Sequence, residues 1–354
     1  MRERLRSAGL ALGFTRIGFA PAEPPAHADA YLRWLEDGHH GDMAWMARPD
    51  AVRRRLDPRE ALPGCRTVIV ATLSYAPADG ARATDEAGRA EEHAHPIIAR
   101  YASGRDYHDW FEERLDALAV EVRALEPDAA VKRYVDYGPV LERDHAQRAG
   151  LGWIGKNTML IDPELGSWLL LGELLTSLEL APDDPFVPDR CGTCRRCVDA
   201  CPTGAILEHR AVDSRRCLSY LTIELRGSIP VELRPAIGTR VFGCDICQDV
   251  CPWNSDPEPG DPEALTEGRP AAFPALRAWA ARLLDLDAET YHEAYRGTPL
   301  ARPGRDAMLR NLCVGLGNSA DAAAAPVLRR CLADDSELVR EHAAWALGRL
   351  GTTT

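Results

Sequence analysis

The sequence predicts a mixed α/β (α+β) N-terminal part, a small cysteine-rich domain and an all-helical tail. Three observations carry this. Apolar strand-like runs alternate with amphipathic helices up to about residue 180, eight of eleven cysteines fall between Cys191 and Cys251, and the sequence after residue 275 is alanine- and leucine-rich at helical spacing. With 354 residues there is room for two or three domains of roughly 150 residues each, every one able to bury a core.

In chain order, residues 2–12 alternate Arg and Glu with Leu as a helix does, and Ile17 to Phe19 reads as a short strand after the stop at Gly13. Thr67 to Tyr75, TVIVATLSY, follows the turn pair Pro63-Gly64 and is rich in β-branched residues, so it is read as a strand. Tyr107 to Leu125 reads as an amphipathic helix ending before Pro127, and Val131 to Tyr137 as a strand before Gly138-Pro139. Residues 77–96, rich in Ala, Asp, Glu and Gly, read as a surface insertion. PDDPFVP (182–188) reads as a linker, and a second break with five prolines spans 254–274. Helices are expected at 275–284, 304–316, 323–332 and 336–349, the last two forming one HEAT-like unit that must cap the rest of the protein to bury its apolar face. The expected domains are 1–181, 182–254 and 275–351.

The net charge of −12, with 45% hydrophobic and 27% charged residues, belongs to a globular chain and excludes a generally basic nucleic-acid coat. No run reaches the 18 or more apolar residues of a membrane helix. The richest stretch, Trp168 to Leu180, is broken by Glu173 and Glu179. MRERLRSAGLALGF carries neither a signal-peptide core nor a twin-arginine pair, so the expected location is cytoplasmic, with no membrane partner.

A reducing compartment disfavours disulfides and turns attention to metal chemistry. The first run is CxxCxxCxxxCP, Cys191, Cys194, Cys197 and Cys201; the second is Cys217, then Cys244, Cys247 and Cys251 before Pro252. In such runs the closely spaced cysteines hold one 4Fe-4S cluster and the cysteine before proline reaches the other. That rule assigns Cys191, Cys194, Cys197 and Cys251 to one cluster and Cys201, Cys217, Cys244 and Cys247 to a second, in a bacterial ferredoxin-type domain. Two zinc sites of four thiolates each are the alternative, though zinc ribbons favour paired CxxC units. Cys65, Cys313 and Cys331 stand alone and read as small buried hydrophobes. No GxGxxG follows a strand, and GLGWIGK (150–156) lacks phosphate-loop spacing.

Beyond the cysteines, a set of stretches carries a family resemblance: HGDMAWM (40–46), DPREALPG (57–64), YVDYGPVLER (134–143), AGLGWIGKNTMLI (149–161), GSWLLLGELLT (166–176), CLSYLTIELRG (217–227) and VFGCDICQDVCPWN (241–254). The chain resembles the epoxyqueuosine reductase family, cobalamin-dependent iron–sulfur enzymes that complete queuosine in tRNA. The resemblance implies a cobalamin held between the N-terminal part and the ferredoxin-type domain. Asp136, in the VDxxPVxER motif, falls on the family's proton donor, a role that requires burial to keep a carboxyl protonated at neutral pH. Arg55, Lys156, Ser167, Ser219, Gly243 and Asp245 fall on positions implied to contact cobalamin, and Thr222 and Arg226 on positions implied to contact tRNA. Lys156 is also one of only two lysines beside 40 arginines, as if a compact ammonium were required there.

An acidic protein that binds RNA needs a local positive face. Residues 190–240 hold nine arginines against five acids, +4, whereas 254–300 hold four against nine, −5. Arg226 and arginines of the tail are the expected holders of the anticodon stem-loop. The expected reaction reduces the epoxide of epoxyqueuosine with two electrons, supplied by a low-potential donor such as a flavodoxin or ferredoxin system to a monomeric enzyme. A cobalamin enzyme of the reductive dehalogenase kind, and a plain electron-carrier module, are the alternatives.

Overall fold

The computed structural model describes residues 1–76, 95–258, 260, 265 and 273–352. The insertion expected at 77–96 lies outside the described residues except for its last two positions, as does most of the proline-rich break at 254–274.

The N-terminal part is built on a four-stranded sheet in the order β1 (Arg16–Pro21), β2 (Thr67–Ser74), β7 (Leu169–Thr176), β4 (Val131–Tyr134). Every pair in it is antiparallel, which decides for α+β. Central β2 is buried along its whole length, because both faces are covered. Ile69, Ala71 and Leu73 meet Leu5 of helix Arg2–Ala11 and Phe111, Leu115 and Leu118 of helix Tyr107–Leu125. Val68 and Val70 point the other way, to Ala146 of helix Glu142–Arg148 and Leu175 of β7. Each such buried aliphatic side chain contributes about 1.5–3 kcal/mol. A Cβ on Gly172 would lie 2.4 Å from the Phe111 ring, so the missing side chain lets the long helix close on the sheet.

Two expectations for this part need correction. β7 was not read as a strand, because Glu173 interrupts its apolar run; that carboxylate is fully buried and paired with His145 Nδ1 at 2.9 Å. The strand expected at Val131–Tyr137 stops at Tyr134, because the next residues turn through Asp136, whose φ is +53° and thus incompatible with an extended strand.

Minor sheets join the parts. β3 (Ile97–Ile98) runs parallel to β8 (Arg240–Phe242), tying the N-terminal part to the segment before Cys244. β5 (Trp153–Ile154) pairs with β6 (Leu160–Ile161). In the tail, helices Leu276–Leu284, Arg305–Asn318, Ala325–Cys331 and Glu337–Arg349 form as expected, and a further helix, Ala288–Ala294, starts at a capping box of Asp287 and Thr290 that the sequence reading passed over. Their core takes in Ile223, Val241 and Phe242 of the cysteine-rich part, so the tail caps that part. Cys65, Cys313 and Cys331 are buried. Among the described residues no helix is long and apolar enough to cross a membrane.

Candidate active site

Asp136 occupies the turn between β4 and the helix Glu142–Arg148. Its Oδ2 accepts from the Tyr107 hydroxyl at 2.8 Å, and its backbone N–H donates to Glu142 Oε1 at 2.7 Å. Burial, then the Asp136 carboxylate, raises Tyr107 well above the usual phenol range, so it remains a donor. Burial, then Asp136 and Glu173, raises Glu142 well above its ordinary value. The burial expected for Asp136 itself is absent: the residue is exposed.

From Asp136 a band of polar and aromatic groups leads inward. Tyr101 stacks edge-on to Tyr107, with ring centroids 5.8 Å apart. Its hydroxyl is raised by burial and by the carboxylates of Asp136 and Asp245, and its ring lies 6.2 Å from that of Phe242, two residues before Cys244. Asp245 accepts from the Arg100 N–H at 2.8 Å, and burial lifts its carboxyl to about 6. Tyr75 lies against Trp168, feels Asp245 and Cys247, and accepts from Gln248 Nε2 at 3.4 Å. The band thus connects Asp136 to the second cysteine run.

The thiols themselves fall into two neighbourhoods. Burial pushes Cys251 up to about 11, helped by Cys191, Cys197 and Cys194. Burial likewise lifts Cys244 to about 11 beside Cys217, Cys217 is raised by burial and Cys201, and Cys247 is raised by burial, Cys244 and Cys217. Cys197 also acts on Cys247, so the neighbourhoods adjoin. Cys201 alone moves down: burial opposes this, but the Thr203 hydroxyl and nearby backbone amides outweigh it. Among the described residues no three His, Cys, Asp or Glu side chains converge to hold a single ion. The two neighbourhoods, each taking in the cysteine that precedes proline in the other run, match the crossed ligand pattern of a pair of iron–sulfur clusters.

The other expected residues divide. Arg55 is buried beside the Asp136 turn, donating to Gly138 O at 3.4 Å, with Nη1 unpartnered. Gly243 adopts φ +71°, and its N–H donates to Thr222 Oγ1 at 2.9 Å. Ser219 is half-buried and its carbonyl accepts from the same hydroxyl at 3.3 Å.

Three of the expected residues are committed to contacts within the chain. Thr222 is fully buried and its hydroxyl donates to Leu218 O at 2.8 Å, so it is a strut under Ser219 and Gly243 with no surface to offer RNA. Lys156 turns its ammonium onto Gly192 O and Cys194 O, at 2.6 and 2.8 Å, which commits it to the first cysteine loop. Ser167 is buried and accepts from Asn254 Nδ2 at 2.9 Å, which joins β7 to the second run.

The positive count over 190–240 shrinks for the same reason. Arg234 is buried against Glu341 and Arg210 pairs with Asp189, both acids outside the counted range. Arg226 is exposed and donates to Pro303 O at 2.6 Å. Beside it Arg302 grips Glu224 at 3.0 Å, lies 5.7 Å from the ring of Trp45 and feels Asp136 and Tyr107. Trp45, and Tyr137 next to Asp136 in the chain, are 39% and 55% exposed. Tyr107, Glu142, Arg302 and Trp45 were not singled out from sequence. Glu142 and Trp45 lay inside quoted motifs, whereas Tyr107 and Arg302 carried no local signal.

Two neighbourhoods of four thiols in one cysteine-rich segment define an iron–sulfur oxidoreductase. Known proteins agree. The family described as 4Fe-4S double cluster binding domain matches residues 190–254, HEAT repeats match 300–354, and epoxyqueuosine reductase QueG, DUF1730, matches 55–137. The epoxyqueuosine reductase of Pseudomonas aeruginosa is 42% identical over 359 residues, covering 100% of this chain and 95% of the relative. A crystal structure of epoxyqueuosine reductase with a tRNA-Tyr epoxyqueuosine-modified stem loop superposes with TM-score 0.82 at 32% identity, over 99% of this chain and 90% of that one. The Bacillus subtilis enzyme, with its catalytic aspartate loop swung out of the active site, gives 0.80 at 31%, with the same coverage. The chain belongs to the epoxyqueuosine reductase family.

Proposed function

We propose that this protein reduces epoxyqueuosine to queuosine at the wobble position of tRNA, with two 4Fe-4S clusters, a cobalamin and Asp136 as proton donor. The observation that carries this reading is the chain of contacts from Asp136 to Tyr107, from Tyr107 to Tyr101 and from Tyr101 to Phe242, two residues before Cys244. Family membership supports the reaction, and the double-cluster match supports the clusters.

Cys191, Cys194, Cys197 and Cys251 would ligate one cluster and Cys201, Cys217, Cys244 and Cys247 the other. Arg55, with an unpartnered buried nitrogen, and Ser219, Gly243 and Asp245, held at the junction of N-terminal part and cysteine runs, would hold cobalamin. Bound there, cobalamin and the clusters supply the two electrons, drawn from a flavodoxin- or ferredoxin-type donor.

The chain's own residues handle the protons. Opening the epoxide to the alkene consumes two electrons and two protons and releases the oxygen as water. Asp136 gives a proton to that oxygen, and Tyr107 orients its carboxyl from 2.8 Å. A base must leave its stack to be reached. Trp45 and Tyr137 offer faces for neighbouring unpaired bases, and Arg226 and Arg302 lie beside them for phosphates. The substrate laid over this turn would supply the cover that Asp136 lacks alone.

Asp136→Ala tests the reading. Turnover of epoxyqueuosine in tRNA, followed by nucleoside mass spectrometry with a low-potential reductant, is expected to fall by on the order of 10³-fold, with cobalamin and cluster spectra unchanged. Retained turnover, or loss of the cofactors, would remove Asp136 from the chemistry. Wild-type protein that leaves epoxyqueuosine intact under these conditions would sink the whole reading.

A further inference from the structure

Asp136 presents a physical problem that its own side chain does not solve. Its φ of +53° lies in the left-handed region, disfavoured for any residue with a Cβ. The turn is tight as well: the Tyr137 N–H donates to Val135 O at 2.5 Å, closing a three-residue turn around Asp136, a geometry that is uncommon and strained. An exposed three-residue turn of this kind relaxes unless its surroundings hold it.

Four groups hold the segment 135–140. Tyr137 reaches Glu112 through its hydroxyl at 2.7 Å, Arg55 donates to Gly138 O at 3.4 Å, and Tyr107 donates to the Asp136 side chain at 2.8 Å. Among the described residues, only Glu142 hydrogen-bonds to the main chain of Asp136 itself, accepting its N–H at 2.7 Å. Glu142 stands on the first turn of the helix Glu142–Arg148, a rigid base six residues away.

We propose that Glu142 is a positioning residue whose carboxyl, by accepting the Asp136 N–H, fixes the strained turn and so aims the Asp136 carboxyl at the reacting oxygen. The proposal rests on the reading of Asp136 as proton donor. The acceptor matters, and not a negative charge. Glu142 is faced by Asp136 from the turn, Glu173 from β7 and Tyr107 from the long helix, with Arg143, Asp144 and His145 on its own helix; Glu173 is already paired with His145. Burial among these carboxylates favours the neutral carboxyl, whose carbonyl oxygen still accepts an N–H. Glutamine offers the same oxygen.

The test uses the cluster-loaded full chain and two readouts. Amide hydrogen exchange of the peptide 134–141 reports the latch directly and needs no turnover; kcat and KM on a modified stem-loop report its consequence. Glu142→Ala is expected to speed exchange of the Asp136 amide at least about 10-fold and to lower kcat by roughly 10–100-fold with KM within about twofold, the pattern of a misplaced catalytic group. Glu142→Gln should restore both to within about threefold. Tyr107→Phe should lower kcat and leave the exchange rate alone. Wild-type exchange in Glu142→Ala, equal damage from Gln and Ala, or faster exchange in Tyr107→Phe than in Glu142→Ala would each overturn the proposal. If Asp136→Ala proves active while Glu142→Ala still frees the amide, the latch stands and the proton-donor reading falls.

Discussion

The two cysteine runs share a spacing and a terminal Cys-Pro, yet their surroundings differ. Along the first, Gly192, Thr193, Arg195, Arg196 and Asp199 are exposed; along the second, no residue from Val241 to Val250 is. Their supports differ as well. The first loop is held from the N-terminal part by Lys156 on two carbonyls and by Trp153, whose Nε1 donates to Cys191 Sγ at 3.4 Å. The second is held from both sides: from the tail, where Asn311 donates to Thr222 O and Val241 O at 2.7 and 2.8 Å, and from the N-terminal part, through β3 on β8 and Asn254 on Ser167. Spacing, then, is common to the two runs, and the flanking fold sets them apart: an outer group with exposed neighbours and an inner group enclosed near Tyr75 and Asp245.

Removing one ligand from each group is the sharpest way to break that comparison. In Cys247→Ser the inner group fails, and with it the route to the Asp136 band, so turnover should drop by on the order of 10³-fold or more, about 4 kcal/mol. In Cys194→Ser a small soluble reductant can still reach the inner group, and turnover should fall by no more than roughly 10–100-fold. Both variants should lose about half of their iron. The measurements are iron content and turnover with a small-molecule reductant; equal rates in the two variants would erase the distinction between outer and inner groups.

Next in size is the tail's hold on the inner group. Arg310 is fully buried, donating to Leu221 O, Leu225 O and Gly227 O at 2.7–2.8 Å with no carboxylate among those partners. Burial, then the positive charges of Arg226 and Arg234, pulls it down to about 9. Arg310→Met would relieve a buried cation but orphan three carbonyls, each costing about 1–3 kcal/mol. A net loss of about 3 kcal/mol is expected. Thermal unfolding measures it. Iron should leave the inner group first, because the segment 221–227 follows Cys217 directly.

What was legible in the sequence follows from how local each signal is. Cysteine spacing acts within a few residues, so both runs could be read from it; β2 was equally plain because a doubly covered strand is apolar throughout. β7 was obscured by Glu173, whose charge makes sense only beside His145, 28 residues away. The count of +4 misled because it weighs Arg234, buried against Glu341, as heavily as Arg226 at the surface. Asp136 could be placed by its motif, but its partner Tyr107 lies 29 residues upstream on a helix whose register no spacing rule links to the turn. Thr222 shows the same limit: the resemblance implied an RNA contact there, and only the packing of the fold shows it to be interior.

Lys156 offers the smallest and most discriminating test, because two roles for it predict different losses. As a cobalamin contact it would change corrinoid affinity; as a clamp on Gly192 O and Cys194 O it would change how firmly the outer thiols are held. The clamp is favoured on chemistry: an ammonium directs its donors to two carbonyls of one tight loop, while a planar guanidinium is longer and fixes its donors in a fork. That gives a reason for a lysine in a chain with 40 arginines. Lys156→Met should loosen the outer loop by about 1–2 kcal/mol, two hydrogen bonds to a charged group less the carbonyls' return to water. The expected result is faster loss of half the iron to a chelator, with cobalamin affinity within about twofold of wild type, and Lys156→Arg should rescue it poorly. Weakened cobalamin binding with unchanged chelation kinetics would return Lys156 to the corrin and leave the outer run without its clamp.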